Sequence, residues 1–200
     1  MSTREAILDA AVERIASDGI DGVRIARIAM DARVSTGLVH YHFATREALL
    51  AEALEHSFEH AGAERTREPD ESTHAARLRE MVEQCLPLPG EQERDWVLWV
   101  ELWLRAVRHP ELRPTAAKLY ARMHHWMREA IADGVAAGEF ARCDPGAVAD
   151  RALAMIDGFG VRALLGDPAV PLARAREEVW SIVASDLGLV ASATSGEYVS

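Results

Sequence analysis

The chain has 200 residues, 49% of them apolar, and a formal net charge of −10. A chain of that size buries a core without a metal or disulfide staple, and its acidic balance excludes a protein that coats nucleic acid through overall positive charge. Cys85 and Cys143, the two cysteines, show neither metal-ligand nor redox spacing. The polar opening "MSTRE" and the lack of an apolar run of ~18 residues point to a soluble, cytoplasmic protein without a membrane partner. There is no nucleophile elbow, phosphate loop or HExxH pattern, so neither an enzyme nor a cofactor is expected.

Strand signals are nearly absent, and the pattern predicts an all-α chain of nine helices. "STRE" (Ser2 to Glu5) has the spacing of a capping box, and Ile7, Leu8, Ala11, Val12 and Ile15 follow at helical spacing. Gly19 is the expected end of this first helix. A second runs from about Arg24 to Ala32, with Ile25, Ile28 and Ala29 facing inward. Ser35 is placed to cap a third that reaches Phe43, and Thr45 a fourth carrying Leu49, Leu50, Ala53, Leu54 and Phe58. Three short helices with tight breaks make a helix-turn-helix layout.

The fourth helix is expected to continue toward Arg67, where "REPDES" (67–72) breaks the pattern. A fifth runs from Ser72 to Cys85. "DWVLWVELWLRAVR" (Asp95–Arg108) is apolar around most of its circumference, as a buried central helix would be. Past His109-Pro110 a long helix places Leu112, Ala116, Leu119, Met123, Trp126 and Ala130 on one stripe, and Gly138 closes it. Asp144 and Pro145 open the eighth, whose Ala154, Gly158 and Gly160 leave a smooth surface. The ninth starts near Pro171 and carries Leu172, Ala175, Val179, Ile182 and Val183. A flexible tail follows from Gly188.

"VSTGLVHYHFATREALL" (34–50) is an odd choice for packing alone, because a helical Gly costs about 1 kcal/mol against Ala. A helix of this layout enters the major groove with its N-terminal residues at the base edges. Thr36 and Gly37 then allow close approach, Ser35 caps the helix and turns backbone N–H groups toward a phosphate, and His40, Tyr41 and His42 offer donors. Arg24, Arg27 and Arg46 are expected on phosphates. Between Gly22 and Arg46 there are four arginines against the single acid Asp31, a local charge of +3 in an acidic chain.

"AILDAAVERIASDGIDGV" and "IARIAMDARVSTGLVHYHFATREALL" together resemble the tetracycline-repressor (TetR) family of bacterial transcriptional regulators over residues 4–56. "DWVLWVELW", "GEF" and "DGFG" resemble, more loosely, the regulatory domain of its betaine-regulator-like branch. The resemblance implies a reading head over 1–46, a helical regulatory and dimerisation domain over 47–187, and a tail over 188–200. It further implies a homodimer joined through the last two helices, and an operator released when a small-molecule effector enters a cavity among the middle helices. Four positions depart from the family pattern: Arg24 for a Ser or Thr cap, Arg33 for a turn glycine, His40 for Tyr, and Ala44 for Pro, Gly or Lys.

Trp96, Trp99 and Trp103 form one stripe and Tyr120, His124 and Met127 another, with Met155 and Phe159 one turn apart. Trp99, Trp103, Tyr120, Met123, His124, Met155 and Phe159 are therefore the candidate effector pocket, suited to a cation over ring faces or to a flat apolar molecule. Glu52, His56 and His60 share a helical face and form an alternative, metal-responsive site; a helical enzyme acting in the aromatic pocket is the last alternative.

Overall fold

Side-chain caps decide where most of the helices begin. The computed structural model describes residues 2–65 and 73–189, and their side chains apart from those of 58–65, 91 and 111. Among these residues it has nine α-helices, one 3-10 turn and no strand. Two expectations, the break at 67–72 and the tail beyond Leu189, lie outside the described residues.

Ser2 and Glu5 close the capping box of α1 (Thr3–Gly22): Glu5 N donates to Ser2 Oγ at 3.2 Å and Ser2 N donates to Glu5 Oε2 at 2.6 Å. α1 does not stop at Gly19. The chain kinks there (φ +67°, ψ 159°) and makes one more turn to Gly22. α2 (Ile25–Asp31) and α3 (Thr36–His42) follow, and Ser35 Oγ accepts from Leu38 N at 3.1 Å. Thr45 Oγ1 accepts from Ala48 N at 3.0 Å at the start of α4 (Arg46–Arg65).

Thr73 caps α5 (His74–Gln84). α6 (Glu91–Arg108) begins four residues before the apolar run, because Gly90 (φ +107°) turns the chain into it. The 3-10 turn Pro110–Leu112 leads into α7 (Arg113–Ala136), then come α8 (Pro145–Leu164) and α9 (Leu172–Asp186). Asp144 Oδ1 accepts from Gly146 N at 2.9 Å with Pro145 at the first helical position.

The chain divides into two compact units, one of residues 1–67 with 89–121 and one of 68–88 with 122–200. In the first, α1 packs on α4, with Ile7, Ala11 and Ile15 of the one and Leu49, Ala53 and Leu54 of the other fully buried. Each leucine or isoleucine among them contributes about 1.5–3 kcal/mol on burial. Ser57 Oγ donates to Asp95 Oδ1 at 3.0 Å, a buried hydroxyl–carboxylate pair joining α4 to α6.

α6 uses two opposite faces within this unit. Arg94 pairs with Glu13 and Arg105 with Asp21, while Glu101 Oε1 lies 3.3 Å from where a Cβ on Gly19 would be. Trp99 and Trp103 point the other way, roughly 160° round the helix.

In the second unit α8 packs along α9, with Ile156, Val179 and Val183 buried. Gly138 (φ +74°) ends α7 in a left-handed cap, with Glu139 N bonded to Gly134 O at 3.0 Å. Glu139 then accepts from the N–H groups of His74 and Ala75 at 2.9 and 2.8 Å, capping α5 from a distance. These backbone bonds, that from Ala75 foremost, hold its carboxyl below the usual range. On α7 the deepest side chains are Met127 and Ile131, one position on from the expected Trp126 and Ala130. Trp126 stays half-buried under the Arg122 guanidinium, 4.8 Å from its ring centre.

Candidate nucleic-acid interface

The turn between α2 and α3 carries an arginine where backbone geometry favours glycine. Arg33 has φ +57°, and around it Val34 N bonds to Ala29 O at 2.9 Å and Arg33 N to Met30 O at 3.1 Å. This is the Schellman pattern of a helix end. A side chain in the left-handed region costs roughly 1–2 kcal/mol, which the packed turn sustains.

That turn projects one face of α3 outward. Val39 and Phe43 are buried beneath it, while Ser35, Thr36, Gly37, His40 and Tyr41 are exposed and His42 is half-buried. Tyr41 is 81% exposed, the most exposed large apolar side chain on the helix. Its ring meets that of His42 edge-on at 5.3 Å. Below, the Arg4 guanidinium sits 5.2 Å over the Phe43 ring and pairs with Glu52, so α1 and α4 together brace the end of α3.

The basic residues divide by how they are engaged. Arg24 is exposed at the start of α2 and makes no side-chain cap bond. Arg27 is exposed, 3.7 Å from Asp18, a surface pairing of small strength. Arg14 of α1 takes the local acid instead, its Nη2 donating to Asp31 Oδ1 at 3.1 Å. That hydrogen bond holds the Asp31 carboxyl below its usual range, so the acid stays charged but neutralised. Arg46 turns inward: it donates through Nη2 to Ile20 O and through Nε to Val23 O at 3.3 Å. Sequence spacing gave no sign of those partners, which lie 26 and 23 residues earlier.

The candidate effector residues fall in both units. In the first, Trp103 stacks on Tyr120 at 5.9 Å with 8° between planes, and Trp99 lies 5.6 Å from Trp103 and 5.3 Å from Tyr120. A pocket of about 440 Å³ opens beside the stacked pair, lined also by Ala106, Val107, Arg113 and Ala116. Arg113 was not among the expected residues. It donates through Nε to Ala106 O at 3.1 Å, so its charge faces the carbonyl end of α6. Met123, His124, Met155 and Phe159 belong to the second unit and are half-buried. His124 Nε2 is 3.3 Å from Gly146 O and from Asp150 Oδ1.

The metal alternative finds no support. Among the described residues no group of three or more His, Cys, Asp and Glu side chains could hold an ion. His56 Nε2 is committed to Asp9 Oδ1 at 2.7 Å, and the side chain of His60 lies outside the described residues. No helix among the described residues is long and apolar enough to cross a membrane.

Known proteins share this layout. Residues 7–53 match the family of bacterial regulatory proteins described as tetR, and residues 74–187 match the BetI-type transcriptional repressor C-terminal family. The HTH-type transcriptional regulator BetI of Paraburkholderia phymatum is 30% identical over 172 residues, 82% of this chain and 83% of that protein. BetI of Burkholderia mallei is 28% identical over 82% of this chain and 84% of its own length. Among solved structures, a transcriptional regulator from Saccharomonospora viridis in complex with choline superposes with a TM-score of 0.81 at 29% identity, over 92% of this chain and 96% of that one. A TetR-family regulator from Rhodococcus sp. gives 0.81 at 30% identity, over 92% and 98%.

Proposed function

Because the chain belongs to the tetR family of bacterial regulatory proteins and carries its BetI-type C-terminal region, it is a DNA-binding transcriptional regulator, and we propose that it is a homodimeric, cytoplasmic repressor that a small molecule releases from a near-palindromic operator. Residues 1–46 are the reading head in this proposal, and residues 47–187 sense the effector and dimerise. The outward face of α3 is the observation that carries it. Thr36, Gly37 and Tyr41 read base edges, His40 contributes at the far end, and Ser35 presents the helix start to a phosphate. Arg24, Arg27 and His42 contact the backbone, supplying much of the affinity and its salt dependence.

The second copy docks on α8 and α9. Gly158 opens onto free space, and Leu165 and Ile182 are 78% and 42% exposed. Apolar area of this kind on paired helices suits a four-helix interface. Two reading heads then meet successive major grooves about 34 Å apart. Selection of bound sequences from random duplex DNA tests the proposal directly. A two-fold symmetric consensus is the expected result, and enrichment of no sequence defeats it.

For the effector, the pocket beside the stacked Trp103 and Tyr120, with Trp99 packed behind them, suits a quaternary ammonium compound of the kind held by the Saccharomonospora relative. Choline added to the protein should quench tryptophan fluorescence and weaken binding to the selected duplex. Trp103→Ala should lose that response while keeping duplex affinity. A fluorescence signal indifferent to choline redirects the search to flat apolar effectors.

A further inference from the structure

The guanidinium of Arg46 is spent inside the protein, and where it is spent matters for DNA binding. Nη2 donates to Ile20 O, Nε donates to Val23 O, and Nη1 lies 3.7 Å from Glu47 Oε1. The side chain is 29% exposed. With Nη2 and Nε on carbonyls at the end of α1, where the helix dipole already favours a cation, only Nη1 is left for a phosphate, and it faces the Glu47 carboxylate.

Those carbonyls belong to the stretch that joins α1 to α2. It starts at the kink of Gly19, passes the buried Ile20 and Val23, and ends at Arg24 in extended backbone (φ −121°, ψ 131°) with no side-chain cap of its own. A planar fork that bridges two carbonyls three residues apart fixes the path of this stretch. The path sets where α2 begins and how it presents Arg24 and Arg27. It also sets where α3 lies, since α2 packs on α3.

We propose that Arg46 is a positioning residue: it acts on DNA through the α1–α2 connection and ligates no phosphate. The proposal rests on the reading that α3 binds duplex DNA. Arginine is required because two parallel donors in a rigid fork reach both oxygens, which the single ammonium of lysine does not reproduce.

The test uses the full-length protein and the duplex obtained by selection, with the dissociation constant measured between about 50 and 200 mM salt. Values are referred to the active fraction found by stoichiometric titration. Arg46→Ala should weaken binding about tenfold or more with the wild-type salt slope, and Arg46→Lys should behave like the alanine variant. Arg24→Ala, the control for a phosphate contact, should make the slope shallower by about 1.

A slope shallower by about 1 in Arg46→Ala, with affinity restored in Arg46→Lys, makes Arg46 a phosphate ligand and overturns the proposal. So does an unchanged affinity of the active fraction, whatever happens to thermal stability. If the alanine variant fails to fold, Arg46→Lys decides alone: near wild-type affinity overturns the proposal and a tenfold loss supports it. A wild-type protein that binds no duplex with salt dependence removes the underlying reading as well, and that failure is seen before any variant is made.

Discussion

Gly37→Ala yields a more stable protein that holds its operator less well. A Cβ built on Gly37 meets only Ser35 Oγ, at 3.8 Å, so the fold accepts the methyl group without adjustment. At the second residue of α3 alanine is better than glycine by at most about 1 kcal/mol, which raises the melting temperature by no more than about 4 °C in a chain of this length. On the DNA side the methyl stands on the exposed face, beside Thr36 and one turn from His40 and Tyr41. Holding that face away from the base edges forfeits about 1–3 kcal/mol for a good contact, five-fold to more than a hundred-fold in affinity. Thermal unfolding and duplex titration on the same sample read the two effects. Unchanged affinity would mean that Gly37 does not face a base pair, and would move the reading surface toward Tyr41.

The second large effect lies at the end of α7. Gly134 is buried, and a Cβ there would fall 2.1 Å from Cε2 and 2.3 Å from Cδ2 of Phe140, itself 4% exposed. Neither ring atom is the loose end of a flexible chain. Gly134→Ala therefore drives the ring from its seat, an overpacking penalty of about 1–3 kcal/mol. Phe140→Ala empties the seat and costs about 3–5 kcal/mol. The double variant should lose less than the two single losses added together, because the new methyl has no ring to strike and fills part of the hole. Denaturant unfolding of all three variants at one protomer concentration gives that coupling. Strict additivity would show that the glycine and the ring do not share the space.

These residues also show what a sequence discloses. Ser2, Ser35, Thr45 and Asp144 cap the helices their spacing announces, since each bonds to a backbone group only two or three residues on. Arg33 announced its left-handed turn by standing where family members often carry glycine. The outward face of α3 was legible because Val39 and Phe43 are apolar and one turn apart, while Thr36, His40 and Tyr41 are polar. Longer reach defeats this kind of reading. The bonds from Arg46 to Ile20 and Val23 depend on how α4 returns beside α1, and the pairing of Arg105 with Asp21 spans 84 residues. Met127 and Ile131 took the buried stripe of α7 because a straight helix drifts against any fixed spacing, while Arg122 shelters Trp126. Arg113 borders the aromatic pocket only because the 3-10 turn Pro110–Leu112 brings the start of α7 back to the last carbonyls of α6.

α6 is a single stiff rod with indoles on one flank and a seam of alternating charges on the other. Its backbone hydrogen bonds leave little slack, so anything that spreads the rings must bend the rod or strain the seam. One stretch of chain thus serves as both a wall of the pocket and a partner of α1, the first helix of the proposed reading head. In the proposed regulator an effector that spreads the rings is thereby felt at α1, while a change confined to one ring leaves the seam, and the empty protein's grip on its operator, in place. Variants that change effector response and basal repression together should therefore map to Arg94 and Arg105 of the seam rather than to the indoles.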